Sequence, residues 1–218
     1  MTSSTSNNVT TTLRVCVGNY GYYNEGELRD TWADLPMDPN QITPWLTAHG
    51  LYDAAHEETY ISDVDGYQFA AEFALDFVDL YQANRLAMAM EYAGPDGVDT
   101  VVAALECADE QIRSVDELIN LLLQADEIPY AEFPRDQWGC PSKELFGYEY
   151  ADETGLLAKL QDMNADCYFD FEKYGRDLLM DYMTSDDGYL YDEMPADGLY
   201  SADEIDELLG LKPKPMAA

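Results

Sequence analysis

The run Leu13-Arg14-Val15-Cys16-Val17-Gly18, followed by an Asn19-Tyr20 cluster and by Leu28-Arg29-Asp30-Thr31-Trp32-Ala33-Asp34-Leu35, sets the expected fold. Leu13 to Gly18 alternates weakly and carries β-branched Val15 and Val17, so it reads as a strand, and the Gly/Asn/Tyr cluster after it as a turn. Asn24 and Gly26 mark a loop before Leu28 to Leu35, a second strand that Pro36 and Pro39 close. Thr43-Pro44 reads as a helix start, because Thr caps and Pro suits the first helical position; this short helix stops at Gly50. Glu57 to Val64 is a third strand ended by Asp65-Gly66, so residues 13–66 are expected to form a small α+β domain.

Working outward, Phe69, Phe73, Leu75, Phe77, Leu80, Tyr81, Leu86, Met88 and Met90 recur at mostly helical spacing through 67–93. Gly94-Pro95-Asp96-Gly97 breaks the run, Val98 to Cys107 continues as helix, and Ser114-Val115-Asp116-Glu117 is a capping-box pattern opening Leu118 to Ala125. Residues 67–127 are expected to be a helical middle domain. Residues 128–153 hold Pro129, Pro134, Pro141, Gly139 and Gly147 among aromatics and read as irregular. Thr154 to Met163 and Asp170 to Met183 are helices and Gly188 to Asp192 a strand, which makes 128–194 a C-terminal α+β domain with an irregular insertion at 128–153. Ser201-Ala202-Asp203-Glu204 caps a last helix, Ile205 to Leu209, ended by Gly210, within a C-terminal extension, 195–218. No repeat of fixed period is visible.

With 218 residues and 47% hydrophobic content, the chain can bury a core as one large domain or two to three small ones. Its 44 acidic against 11 basic residues give a net charge of −33, which repels nucleic acid and anionic membranes and excludes a phosphate-gripping DNA binder. The imbalance peaks over residues 57–112, with thirteen acids and one base. Acids interleave with Leu, Phe, Tyr and Met, as on a folded acidic surface. Cys16, Cys107, Cys140 and Cys167 lack CxxC spacing and lie far along the chain from His49 and His56, so reduced thiols fit better than zinc or disulfides. Met1 to Thr12 reads as a disordered polar tail without the blocks of a signal peptide, and no run of about 18 apolar residues occurs. An intracellular location and no membrane contact are expected.

Nucleophile elbows, P-loops, HExxH helices and GxGxxG turns are absent. His56-Glu57-Glu58 lacks the second histidine a zincin helix needs. Glu193 to Glu204 resembles a calcium loop at Asp197, Gly198 and Glu204, but Glu193 and Pro195 fail at the first and third positions, and a turn followed by a capped helix is the plainer reading. Carboxylate pairs occur by chance among 44 acids, so no catalytic residue, metal ligand or cofactor is assigned. The Met and aromatic stripe at 67–93 reads as helix core.

B-form DNA carries one negative charge per ~1.7 Å of axis, so 33 charges match about 56 Å of duplex. A basic groove built for phosphates would accept carboxylates at similar spacing. A merely solubilising acidic surface has the same composition, and the charge does not choose between them.

Val15-Cys16-Val17-Gly18-Asn19-Tyr20, Tyr23-Asn24-Glu25-Gly26-Glu27-Leu28, Trp32-Ala33-Asp34-Leu35, Ile61-Ser62-Asp63-Val64-Asp65-Gly66 and, most specifically, Tyr168-Phe169-Asp170-Phe171-Glu172-Lys173-Tyr174-Gly175-Arg176-Asp177-Leu178 resemble, in order, segments of the ArdA-type antirestriction proteins. The resemblance spans roughly residues 13–192. It implies an elongated, curved chain of three small domains, paired into a homodimer in the cytoplasm of a bacterial host. It further implies a DNA mimic from a mobile genetic element that occupies the DNA-binding groove of type I restriction-modification enzymes, at their methyltransferase/specificity core, without catalysis or cofactor. The acids expected to stand in for phosphates are Glu72, Asp76, Asp79, Asp96, Asp99, Asp109, Glu110, Asp116, Glu117, Asp170, Glu172, Asp177 and Asp181. Each also reads as a solvated helix-face or helix-N-terminal carboxylate.

Arg176 is expected to pair with Glu172, four residues earlier, and Trp32, Tyr168 and Tyr174 to lie in the core. Gly175 stands where the family carries Ala, at a cost of up to ~1 kcal/mol in a helix unless close packing needs it. The segments 128–153 and 195–218 depart from the family's pattern. They leave open a mimic directed at another anti-phage defence system, and an acidic regulatory module for a basic partner protein is the rival reading.

Overall fold

Strand β1 (Leu13–Asn19) is the centre of a three-stranded antiparallel sheet of order β2-β1-β3, with β2 spanning Asp30–Leu35 and β3 Thr59–Asp65. The computed structural model describes residues 13–66, 77–108, 114–195 and 200–211. The first twelve residues, read as a tail, lie outside them. Leu13 pairs with Leu35 and Gly18 with Asp30 on one side; on the other, the register slips between Cys16 and Val17, and the hydroxyl of the bulged Ser62 donates to the Cys16 carbonyl at 3.3 Å. Every β1 residue but Arg14 is buried, as a central strand requires. The three strands stand where the sequence puts them.

The expected turn after β1 is a short helix, α1 (Tyr20–Asn24), because the Asn19 side chain accepts from the Gly21 and Tyr22 amides and caps it. The helix expected to start at Thr43-Pro44 starts earlier. In α2 (Pro39–Ala48), Asp38 Oδ1 accepts from the Asn40 amide, Pro39 holds the first turn, and Pro44 lies inside. The Thr43 hydroxyl is engaged by the Tyr81 hydroxyl at 2.7 Å. The helix ends before Gly50, whose φ of 69° is left-handed.

Helix α3 (Leu80–Ala108) is interrupted at Gly94, whose φ of 69° and ψ of 174° are not helical, and Pro95 follows. Helix α4 (Val115–Leu123) is capped by Ser114, whose Oγ accepts from the Glu117 amide at 3.2 Å, and buries Val115, Leu118, Ile119 and Leu122.

The described residues form two compact units: 13–66, 77–99, 114–126 and 200–211 make the first, and 100–108 and 127–195 the second. In the first, Asn84 of α3 is 2% exposed and its amide closes both ways on Met37, accepting from the backbone N–H at 2.7 Å and donating to the carbonyl at 3.0 Å. This satisfies the backbone between β2 and α2.

The second unit holds a sheet of order β4-β6-β5, from Tyr130–Glu132, Gly188–Leu190 and Met183–Thr184. Its core is Phe133, Phe146 and Leu179, flanked by Leu178 and Tyr189. Residues 128–153, expected to be irregular, contain β4 and an eleven-residue helix, α5 (Lys143–Glu153), which Ser142 caps through the Leu145 amide. Helix α6 spans Leu156–Asp162, and α7 spans Phe171–Leu178. The helix expected over 170–183 is thus shorter, because a 3₁₀ turn, Leu179–Asp181, ends it. Helix α8 (Ala202–Leu208) closes the described chain.

Candidate partner-binding surface

A carboxylate facing water keeps its charge available to a partner, and an exposed ion pair holds it only weakly. Of the thirteen expected contact acids, Glu72, Asp76, Asp109 and Glu110 lie outside the described residues. The structure brings Asp79 and Asp116 together at Gln82: the Gln82 amide donates to Asp79 Oδ1 at 2.8 Å, and its side chain donates to Asp116 Oδ1 at 3.1 Å. Asp79 thereby starts α3, and Glu117 sits in the first turn of α4. Asp96 and Asp99 are exposed and three residues apart on α3, hence on one face.

In the second unit, Asp170 caps α7 by accepting from the Lys173 amide at 2.8 Å. Glu172 lies 4.0 Å from Arg176, the expected pair. Asp177 and Asp181 are exposed. Acids that the reading of 128–153 as irregular passed over, Glu144, Glu149, Asp152 and Glu153, are exposed along α5. The signal for them was Pro141-Ser142-Lys143-Glu144, a helix start with a capping serine.

The described arginines are engaged by the chain's own acids. Every arginine among the described residues lies within 4.0 Å of a carboxylate: Arg14 with Asp34 and Asp65, Arg29 with Glu27, Arg85 with Asp206, Arg135 with Glu132 and Asp187, and Arg176 with Glu172. Two aromatics expected in the core are on the surface. Trp32 is 39% exposed, because Ala33 and Leu35 take the buried face of β2 and Trp32 the other, where Arg14 stacks 5.4 Å above it. Tyr168, at the end of a 3₁₀ turn, is 87% exposed. Tyr174 is half-buried against Phe169 and Tyr150.

Titratable groups converge around His56, which stacks on Tyr22 at 3.9 Å. Its Nδ1 lies 2.9 Å from Asp53 Oδ1, and its Nε2 lies 3.3 Å from Glu25 Oε1. Asp53 also accepts from the Tyr22 hydroxyl at 2.7 Å and the Ala55 amide at 2.8 Å, and these bonds hold its carboxyl well below the usual range. The Asp53 hydrogen bond, with that of Glu25, raises the His56 pKa. Both ring nitrogens are thus engaged by carboxylates, and the cluster ties the 53–56 turn to α1. Among the described residues no group of three or more His, Cys, Asp or Glu is placed to hold a metal ion, and no helix is long and apolar enough to cross a membrane. All four cysteines are free.

A family model described as antirestriction protein (ArdA) matches residues 15–191. The chain belongs to the ArdA antirestriction family. No curated protein matches it. The matched span of this ArdA-family chain runs from β1 to β6 and includes all thirteen acids and α5, whereas α8 lies beyond it. The family acts against restriction systems.

Proposed function

We propose that this chain inhibits a type I restriction-modification enzyme by mimicking DNA, its carboxylates occupying the basic groove of the methyltransferase/specificity core so that restriction, and modification with it, is blocked. The observation that carries the reading is the joint one of a −33 charge and arginines turned onto the chain's own carboxylates, in a chain of an antirestriction family. Binding then gains from counterion release and steering as DNA binding does. No group acts as a catalyst and no cofactor takes part. The chain works as a homodimer in the host cytoplasm.

The contact is distributed over Glu72, Asp76, Asp79, Asp96, Asp99, Asp109, Glu110, Asp116, Glu117, Asp170, Glu172, Asp177 and Asp181, with the exposed acids of α5 added. Grouped Asp→Asn and Glu→Gln substitutions test this. Inhibition should fall progressively and the salt dependence of binding should flatten with each acid removed. Abolition of all inhibition by one neutralisation would overturn a distributed footprint.

A further inference from the structure

Helix α8 lies outside the family-matched span, yet it packs as part of the first unit. Ser201 and Glu204 cap it, the Ser201 amide and hydroxyl donating to Glu204 Oε2 at 2.8 and 2.6 Å. Ile205 and Leu209, four residues apart, form one buried stripe, 6% and 9% exposed, while Asp203, Glu204 and Glu207 lie on the exposed side. Asp206, at the edge of the stripe, reaches Arg85 Nη2 at 2.7 Å with both side chains half-buried. Pro39 and Ile42 of α2, Asn84 and Arg85 of α3, and Asp206 and Leu211 from the C-terminal segment line a cavity of about 170 Å³. Arg85 is the one basic residue among residues 57–112, and its carboxylate partner comes from α8.

We infer that the α2–α3 face is a docking site for an acidic amphipathic helix of the pattern Ile-Asp-x-x-Leu, and that residues 200–211 occupy it in cis as a strap that removes the positive charge of Arg85 from an acidic face. A seven-residue helix does not hold in water alone, so its order depends on the groove. Tethering supplies the occupant at high effective concentration, and a free helix of the same pattern competes only when the strap is weakened. The inference stands on intramolecular packing and does not rest on the proposed restriction target.

The test uses full-length chains and a fluorescein-labelled synthetic peptide of residues 200–211. Leu209→Asp in the chain should release the strap, and the peptide should bind that variant at least about tenfold tighter than the wild type. A peptide carrying Asp206→Lys should lose that binding, and adding Arg85→Glu to the Leu209→Asp chain should restore it. Equal peptide binding to wild type and Leu209→Asp would overturn the inference. Should Leu209→Asp not fold, hydrogen exchange of α8 in Arg85→Glu, in Asp206→Lys and in the double variant decides. Faster exchange in each single variant, recovered in the double, supports the strap; exchange unchanged in the single variants overturns it.

Discussion

Gly147 of α5 and Gly175 of α7 meet backbone to backbone. A Cβ on Gly147 would stand 2.8 Å from the Gly175 nitrogen and run into the Phe171 carbonyl, and a Cβ on Gly175 would run into the Lys143 carbonyl. Both residues are buried, and at this point of the crossing neither helix contributes a side chain. Propensity alone makes Gly175 a defect worth up to ~1 kcal/mol; the crossing reverses that sign, since a rigid carbonyl is in the way.

Gly175→Ala should therefore destabilise the chain, overpacking costing about 1–3 kcal/mol against a smaller propensity gain. Urea denaturation with an unchanged slope and a lower midpoint is the expected result. A midpoint at or above the wild-type value would contradict the close crossing.

Asn19 joins three parts of the first unit. It is 1% exposed; its amide nitrogen donates to the carbonyls of Leu51 and His56, and its oxygen caps α1. Asn19→Ala strands those carbonyls in a buried place and should cost about 2–4 kcal/mol, a lost cap plus lost buried bonds. Asn19→Asp keeps the cap but not the donors, so it should not restore wild-type stability. Denaturation of the pair checks both statements.

The His56 cluster gives a pH dependence with a definite sign. His56 titrates above its ordinary 6.5, so its contribution is complete below that value and fades as pH rises through the raised pKa. Asp53 titrates below its ordinary 3.8, so its contribution is complete above that value and fades on acidification. The facing groups are Asp53, Glu25 and Tyr22, with Arg29 stacked over Tyr22 and Glu57 and Glu58 lining the same groove. The stability difference between wild type and His56→Gln should be larger at pH 5.5 than at pH 9. A difference that stays constant or grows toward pH 9 would exclude the protonated bridge.

The elements that the sequence shows clearly are those whose signal is local. Val15 and Val17 mark β1, Ser114 and Ser201 mark helix starts, and Gly50 and Gly94 mark breaks, each through the backbone chemistry of its own residue. Where two local signals compete, sequence does not choose. Asp38-Pro39 and Thr43-Pro44 are both good helix starts, and the Tyr81 hydroxyl, distant in sequence, engages Thr43. Helix α5 is hidden because Pro134, Gly139 and Pro141 precede it and its buried face includes Gly147, whose role exists only once α7 is beside it. Trp32 and Tyr168 look like core by type, but strand alternation and a terminal turn turn them outward. Among the described acids the i,i+4 pair of Glu172 and Arg176 is legible in the sequence, whereas exposure and the long-range arginine pairs, Arg14 with Asp34 and Arg85 with Asp206, come from tertiary structure.

Displacement of fluorescent duplex DNA from a purified type I methyltransferase core measures most directly whether the acidic surface occupies a DNA groove. The titration is run at two salt concentrations beside an unrelated protein of equal net charge. Near-stoichiometric displacement that weakens with salt and is absent with the control is the predicted result. Failure of this chain to displace the DNA, or equal displacement by the control, would contradict a shaped mimic of DNA at that enzyme.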